Sequence, residues 1–539
     1  MRTCSLLLAS LLASLAASTV LIACSDDTSL PGGSPDAAPD PNAPDAMPMP
    51  KTCTGPAECD DGIDCTVDTC SDEGLCVNAT DDAVCDNGDD CDGAEICSAT
   101  AGCGGGTPPA PAQVCRGDVN AGIALGSYHT CALDVLGYVH CWGSGVYGQL
   151  GYGEFGVNAG RGDTADTVPV NLGTVATPNG EESPLVYPVQ LALGTSHTCA
   201  LLNSGDVVCW GYHNEGQLGY GLLGDANVDP DPAQPKLASP SLGAVDIGGK
   251  VVQISTRNAH TCALLDTGAV RCWGRGGDGQ LGYSGLAANI GDDEAPSTLG
   301  DVNVGGTVTQ VAAGGAHTCA LLDTGAVRCW GSGSKGRLGY GNEEDIGDNE
   351  DPATAGDVPL GGTAVQISAG GQHTCAVLDT GAIRCWGDGE FGALGYGDAL
   401  DVGDAVTPAQ KGDVPLGGTA VQVAAGGQHT CALLDTGGIR CWGSGMRGAH
   451  GYGTTQTLGD GETPADYADA FGDVNVGGTA VSIATGAFHT CAVLDTGAVR
   501  CWGLAQQGQL GYGNENTIGD NESPSMAGDV MLGASLYAP

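Results

Sequence analysis

The stretch HTCALLDTGAVRCWG occupies residues 317–331, and the same fifteen letters occupy residues 260–274. Seven copies of the pattern carry Cys two residues after a His, a second Cys ten residues later and then a Trp. Self-similarity at intervals of 56–68 residues indicates a repeat architecture, so the repeating unit is interpreted before any single motif. The copies begin at His129, His197, His260, His317, His373, His429 and His489.

Each unit divides into short segments bounded by Gly, Asp or Asn. In the fourth unit these segments are VTQVAAGGAHTCALL (308–322), AVRCWGSG (326–333), KGRLGYG (335–341) and GDVPLGG (356–362). They are apolar or β-branched, and none shows helical periodicity. The pattern predicts about four strands per unit and an all-β fold.

The two ends of the repeat region complement one another. The last unit stops at GDVMLG (528–533) and lacks the strand that should follow, whereas GIALG (122–126) supplies such a strand before the first His. A ring explains this arrangement better than an open stack does. We therefore predict a seven-bladed β-propeller over residues 116–539, with four-stranded blades closed between the N- and C-terminal strands.

The N-terminus predicts export. Residues 1–23 combine a short basic start with an apolar run, which is the layout of a signal peptide. The sequence LIAC (21–24) resembles the bacterial lipobox, which implies cleavage before Cys24 and lipidation of Cys24. A plain transmembrane anchor is the alternative. Residues 24–50 are rich in Pro and Asp and predict an extended tether from the membrane. The predicted location is the bacterial outer membrane or cell surface.

Residues 51–115 contain ten cysteines, which predicts a small disulfide-stapled module because few apolar residues are present to hold it folded. The connectivity of these cysteines stays open. The stretch CDDGIDCTVDTC (59–70) resembles the CTxDxC repeats of secreted and surface proteins and implies no activity.

The paired cysteines of the repeats are predicted to be disulfides. Asp323-Thr324-Gly325 is a hairpin loop, and pairing Leu322 with Ala326 places Cys319 opposite Cys329. An oxidising compartment preserves such bonds, and zinc held by His317 and the two cysteines is the alternative. The predicted pairs are Cys131–Cys141, Cys199–Cys209, Cys262–Cys272, Cys319–Cys329, Cys375–Cys385, Cys431–Cys441 and Cys491–Cys501.

GQLGYG (148–153) and the pattern AGGxHTCALLDTGAVxxWG resemble the repeat of the regulator of chromosome condensation family, the RCC1 repeat. The resemblance covers residues 120–535 and implies a seven-bladed propeller, with the Cys pairs as a departure. It also implies that the His is a buried hydrogen-bonding group. The family's exchange activity on a Ran-type GTPase is not expected here, because an exported chain would not meet that partner. Nor is nucleic acid expected, since the net charge is −47.

Three further residue sets recur with the repeat. The Trp residues predict core between blades, with a ring of sugar-stacking aromatics as the alternative. An Arg before the second Cys in units three to seven predicts a blade-to-blade ion pair. An Asp in the IGDxxxP-type loops is a candidate calcium ligand, with a turn-forming Asp as the alternative and no other cofactor expected. In order, these sets are Trp142, Trp210, Trp273, Trp330, Trp386, Trp442 and Trp502; Arg271, Arg328, Arg384, Arg440 and Arg500; and Asp292, Asp348, Asp404, Asp460 and Asp520.

No catalytic motif stands out from the repeat background, and we predict no isolated His–Asp pair and no enzyme. Units one and two vary most, in residues 154–173 and 222–250, and insertions in repeats map to binding faces. We predict a membrane-anchored lipoprotein that acts as a binding or adhesion scaffold for a protein or glycan at the cell surface. The alternatives are an inhibitor of an extracellular hydrolase, by resemblance to a secreted β-lactamase inhibitor of this fold, and an enzyme with its site in the central channel.

Overall fold

A computed structural model describes residues 122–134, 137–152, 170, 187–221, 243–286 and 288–532 in full, and four short strands before them by their backbone. The predicted signal peptide, the lipidation site Cys24, the tether and most of the Cys-rich module lie outside the described residues. None of the helices in the described part of the chain has the length and apolar character needed to cross a membrane.

The four early strands form two small two-stranded sheets. Strands β1 (Thr66–Cys70) and β2 (Cys76–Thr80) make one sheet, and β3 (Ile96–Ser98) and β4 (Gly102–Gly104) make the other. In the second sheet Cys97 lies opposite Cys103 in an antiparallel register. The described part of the module therefore contains two two-stranded sheets, which include four of its cysteines.

Seven three-stranded antiparallel sheets follow, and we call them blades one to seven. Their strands, in chain order and three to a blade, are β5 Ile123–Leu125, β6 His129–Leu133, β7 Val139–Gly143; β8 Pro188–Leu193, β9 His197–Leu202, β10 Val207–Gly211; β11 Val251–Arg257, β12 His260–Leu265, β13 Val270–Gly274; β14 Val308–Ala313, β15 His317–Leu322, β16 Val327–Gly331; β17 Ala364–Ala369, β18 His373–Leu378, β19 Ile383–Gly387; β20 Ala420–Ala425, β21 His429–Leu434, β22 Ile439–Gly443; β23 Ala480–Thr485, β24 His489–Leu494, β25 Val499–Gly503.

Tight turns fold each blade locally. In blade four the first hairpin closes through Gly314 N–H, which donates to His317 O at 2.7 Å. The second closes through Gly325 N–H, which donates to Leu322 O at 2.9 Å, and Gly325 has a φ of 77° that favours glycine. Sequence neighbours therefore pair within one blade, as the short Gly-bounded segments predicted.

The fourth segment of each blade is extended but is not a full strand. Val302 N–H donates to Val270 O at 2.8 Å, which joins this segment to the third strand of blade three. Two residues later Val304 N–H donates back to Val302 O at 2.9 Å, and this tight turn ends the pairing after one bond. The predicted four-stranded blade is thus three strands with a short extended edge.

Blade seven contacts blade one, so the seven blades form a closed ring. Ala487 N–H donates to Gly126 O at 3.3 Å, and β23 and β24 both lie against β5. The closure differs from the predicted one, because the terminal strands do not complete a shared blade. Val530 N–H donates to Val499 O at 2.9 Å, which keeps the C-terminal segment on the edge of blade seven. Each blade is one continuous piece of chain because its hairpin turns pair consecutive segments.

Short helices flank the acidic loops. Five of them begin at the Pro that ends an IGDxxxP-type loop, where the fixed φ of Pro suits a first helical position. Three 3₁₀ helices lie before the loops, between the third strand and the loop of blades four, five and six. The α-helices are α1 Pro352–Ala355, α2 Pro408–Lys411 and α3 Pro464–Phe471, and the 3₁₀ helices are Pro296–Thr298, Ser334–Gly336, Glu390–Gly392, Met446–Gly448 and Pro524–Met526.

Every hairpin of the ring carries a disulfide between its second and third strands. Cys319 lies opposite Cys329 in the register, and their Cα atoms are 4.1 Å apart. The bonds join all seven pairs derived above from the hairpin register. Each closes a short loop and can stabilise the fold by up to about 3 kcal/mol.

Candidate functional site

A hydrogen-bonded belt joins each blade to the next. Between blades three and four, His260 Nε2 lies 3.0 Å from Thr318 Oγ1, and Thr318 Oγ1 donates to Gln280 O at 2.9 Å. The indole of Trp330 donates to the same carbonyl at 3.0 Å. The His–Thr contact recurs as His129–Thr198, His197–Thr261, His260–Thr318, His317–Thr374, His373–Thr430, His429–Thr490 and His489–Thr130.

The belt is electrically neutral. The Thr hydroxyl gives its one hydrogen to the carbonyl, so the His must donate from Nε2. Burial lowers the pKa of His373 to about 3 and that of His260 to about 4. The His is therefore a hydrogen-bonding group, as the family resemblance implied. Zinc has no thiolate ligand here, because both cysteines are oxidised in every blade.

The Trp residues are core and not a binding surface. All seven indoles are fully buried, which excludes the sugar-stacking alternative. Six donate from Nε1 to a carbonyl of the preceding blade, whereas Trp386 has no acceptor. The preceding carbonyl at that junction belongs to Arg337, and it accepts only a long 3.4 Å bond from Thr374 Oγ1.

Arginine clamps link five junctions. Arg328 Nε donates to Asp357 Oδ1 at 2.8 Å within blade four, and its Nη1 donates to Val304 O of blade three at 2.6 Å. The predicted blade-to-blade ion pair is therefore an ion pair inside the blade, and the bond between blades ends on a carbonyl. The reason is that Asp357 belongs to the edge segment of the same blade. The other clamps are Arg271–Asp301, Arg384–Asp413, Arg440–Asp473 and Arg500–Asp529.

Glutamine side chains clamp the same five junctions at the inner strands. Gln366 Oε1 accepts Val423 N–H at 2.8 Å, and its Nε2 donates to Val423 O at 2.9 Å. The same bond recurs in four other blades, where a Gln side-chain oxygen accepts a backbone N–H from the inner strand of the next blade. These glutamines are Gln190, Gln253, Gln310 and Gln422. Blade seven has Ser482 at this position and blade one has Gly122, so neither junction of blade one carries the clamp.

The acidic loops lie at one place in each of blades three to seven, against a Gly of the preceding blade. Asp292, Asp348 and Asp404 each accept the backbone N–H of the following residue, which is the behaviour of a turn-forming Asp. Three carboxylates approach one another in one loop, those of Asp292, Asp293 and Glu294. Burial, followed by the neighbouring Asp293, raises the pKa of Glu294 to about 7. Calcium binding by the five Asp stays a prediction.

Blade one contains a buried His–Asp pair that the sequence analysis did not predict. His140 Nε2 lies 3.0 Å from Asp134 Oδ2, and Asp134 Oδ1 accepts Tyr138 N–H at 2.9 Å. His140 occupies the position of the clamping Arg, so comparison of the repeats could have found it. The pair braces its hairpin, and no nucleophilic side chain is hydrogen bonded to it among the described residues.

The junctions on either side of blade one carry two partly exposed aromatic pairs. The rings of Tyr128 and Phe488 are 5.8 Å apart at the junction with blade seven. The rings of Tyr147 and Tyr212 are 4.9 Å apart at the junction with blade two. Both pairs lie at the end of blade one where His129 pairs with Gly143, and Tyr128 and Tyr147 are each 38% exposed.

The seven inner strands enclose a cavity of about 110 Å³. Its lining contains amides, hydroxyls and apolar groups, with one charged side chain among the described residues, that of Arg257. The lining has no carboxylate, imidazole or thiol, so it offers no general base. The cavity is polar and asymmetric, yet it lacks the groups from which a hydrolytic site is built.

Residues 152–532 match the family profile of the RCC1-like domain, and residues 121–149 match the profile of the regulator of chromosome condensation (RCC1) repeat. The ultraviolet-B receptor UVR8 of Arabidopsis thaliana is 33% identical over 331 residues, which cover 60% of this chain and 67% of UVR8. The human E3 ubiquitin-protein ligase HERC2 is 30% identical over 384 residues, which cover 71% of this chain but 7% of HERC2.

Two solved structures have a similar fold. Human WBSCR16 matches with a TM-score of 0.53 and 23% identity, over 69% of this chain and 86% of that chain. Yeast RCC1 (Prp20), solved bound to Kap60, matches with a TM-score of 0.54 and 20% identity, over 75% of this chain and 84% of that chain. At these identities the likeness is one of fold alone.

Proposed function

Because this chain belongs to the RCC1-repeat family, whose propellers include a receptor and a protein bound to Kap60, we propose that it is a non-catalytic binding scaffold. The polar groups that recur in its repeats form hydrogen bonds between blades. Binding of a partner is therefore assigned to the blades that depart from the repeat. Function in repeat folds lies in the parts that vary from one unit to the next.

The partly exposed aromatic pairs beside blade one carry this proposal. Tyr and Phe offer large contact areas at low cost in conformational entropy and are enriched in binding surfaces. At the position of Tyr147, blades two, three, four and six carry Glu215, Asp278, Lys335 and Arg447. Blade five carries Phe391 at this position. Aromatic pairs between adjacent blades, and not single aromatic side chains, therefore distinguish the two junctions of blade one among the described residues. We name the four rings of Tyr128, Tyr147, Tyr212 and Phe488 the aromatic face.

The proposal includes a place for the scaffold. An export signal, a lipidated Cys24 and the 24–50 tether would hold the ring outside the cytoplasm on a bacterial outer membrane or cell surface. The density of disulfides supports this, since such bonds persist in oxidising compartments. The partner would be a protein or a glycan exposed on the same or a neighbouring cell.

The test is a cross-linked pull-down on intact cells with the tagged full chain. The double variant Tyr147→Ala/Tyr212→Ala should lose the captured partner. Phe391→Ala is the matched control, because Phe391 occupies the position of Tyr147 in blade five, and it should capture as the wild type does. Equal capture by both variants would overturn the role of the aromatic face. In parallel, Cys24→Ser should release the chain from the membrane fraction, and retention there would overturn the lipid anchor.

A further inference from the structure

Arg257 breaks the symmetry of the central cavity. Three residues before the conserved His of each repeat, the other six blades have glycine, at Gly126, Gly194, Gly314, Gly370, Gly426 and Gly486. A Cβ on Gly314 would lie 2.2 Å from the ring of His317, which explains the glycine in those blades. In blade three the strand continues one residue further, Arg257 pairs with His260, and Asn258 takes the positive φ of the turn. The longer strand is what allows a side chain at this position.

The guanidinium crosses the cavity without meeting a counter-ion. Arg257 Nη1 donates to Ala425 O of blade six at 3.0 Å. No carboxylate of the described residues forms an ion pair with it, and one bond engages only part of its five N–H donors. Burial lowers the pKa of Arg257 to about 10, so the side chain is a cation at neutral pH. Arg257 is half-buried, and a partly desolvated cation without a counter-ion favours the binding of an anion.

Hydroxyl groups line the same cavity, those of Ser255, Thr256 and Ser368. Ser255 Oγ accepts Ala313 N–H at 2.9 Å and Ser368 Oγ accepts Ala425 N–H at 2.9 Å, so each hydroxyl hydrogen remains available to a ligand. Thr256 Oγ1 is buried and has no hydrogen-bond partner. At the position of Ser255 and Ser368 the other blades carry alanine, at Ala124, Ala192, Ala312, Ala424 and Ala484. Hydroxyl donors and the guanidinium of Arg257 therefore lie on the lining of the same cavity.

We propose that Arg257, with the hydroxyls of Ser255, Thr256 and Ser368, forms a binding site for a small inorganic oxyanion such as phosphate or sulfate. The guanidinium donates two parallel N–H bonds to such an anion, and the hydroxyls donate to its remaining oxygens. The cavity of about 110 Å³ has room for several waters, and therefore for an anion of the size of phosphate or sulfate.

The test uses inorganic phosphate and the full oxidised chain. Phosphate at millimolar concentration should raise the Tm of the wild type and broaden the phosphate ³¹P resonance, and sulfate should reverse the broadening. Arg257→Gly, which installs the residue of the other six blades, should abolish both effects. Arg257→Lys should retain a weaker response. The matched control is Arg271→Val, which removes a clamp outside the cavity and installs the residue of blade two, and its phosphate response should equal that of the wild type.

Three results would overturn the site. One is a wild-type chain whose Tm and ³¹P line width do not respond to phosphate. Another is Arg257→Gly with an undiminished phosphate response, whatever its Tm without phosphate. The third is Arg271→Val with a phosphate response as weak as that of Arg257→Gly, because the loss would then not be specific to the cavity. A lower Tm of Arg257→Gly with the phosphate response absent from both proteins would identify Arg257 as a brace between blades three and six.

Discussion

The five junctions from blade two to blade seven differ from the two junctions that flank blade one. All seven have the His–Thr belt, and every blade has its disulfide. The five add an Arg bond to the preceding blade and a Gln clamp at the inner strands. At the two junctions of blade one the described residues supply aromatic pairs instead. The belt and the disulfides therefore define the fold, whereas the clamps reinforce part of it.

The Arg of each clamp and its Asp partner are present together or absent together. Where blade two has Val208 in place of the Arg, its edge segment has Ala244 in place of the Asp. Such joint loss indicates that the Asp holds the Arg in the orientation from which it reaches the carbonyl of the preceding blade. Among the described residues, the two junctions of blade one are those that lack both the Arg and the Gln clamp. The proposed aromatic face lies across these two weaker junctions.

Acid should weaken both kinds of junction, because both contain the His–Thr belt, and we expect this effect on stability to be the largest. Burial holds the pKa of the belt histidines near 3, for example at His129 and His429, while an unfolded His titrates near 6.5. Between these values the unfolded chain binds more protons, so the free energy of unfolding falls as the pH falls below about 6.5. Seven such groups at about 1.4 kcal/mol per pH unit each lower it by on the order of 10 kcal/mol by pH 5.

Denaturant unfolding at several pH values, with the disulfides intact, measures this dependence. Relief of repulsion among the carboxylates acts in the opposite direction, so the series is repeated in about 1 M salt, which screens surface charge and leaves buried groups unaffected. A stability that stays level from pH 7 to pH 5 in high salt would show that the belt histidines are protonated in the folded ring.

Hydrogen exchange should separate blade one from the reinforced blades. Each reinforced junction has about three additional hydrogen bonds, worth about 1 kcal/mol each. The opening of blade one should therefore cost at least about 2–3 kcal/mol less, and its amides should exchange about 30- to 150-fold faster. The comparison uses equivalent buried amides, those of Ala132 in blade one and Ala376 in blade five. Equal protection of the two amides would mean that the clamps add no stability to the ring.

The Gln clamp offers the smallest and most local test. Gln366→Ala leaves the N–H and the carbonyl of Val423 without their partners and should cost about 2–3 kcal/mol in the free energy of unfolding. Ser482→Ala, at the equivalent position of blade seven, should cost less than about 0.5 kcal/mol. Ser482→Gln should stabilise the ring by about 1 kcal/mol. If Gln366→Ala were as mild as Ser482→Ala, the two kinds of junction would not differ in strength.

Several elements of the ring follow from the repeat alone. The spacing of Leu322 and Ala326 about a three-residue loop predicts the hairpin register, and the register places Cys319 opposite Cys329. The blade number follows from counting copies of HTC. The predicted fourth strand and the predicted closure were less accurate, because each depends on how far an edge segment continues to pair after its first hydrogen bond.

The sequence by itself determined the hairpins, their turns and their disulfides, because chain connectivity and turn geometry set the pairing of neighbouring segments. Only the tertiary structure decided which residues meet across blades. His489 contacts Thr130, and Arg257 reaches the carbonyl of Ala425, across separations of 359 and 168 residues. Such contacts depend on the placement of one sheet against another, which no local pattern encodes. The cavity and its single cation exist because seven locally determined blades close into a ring.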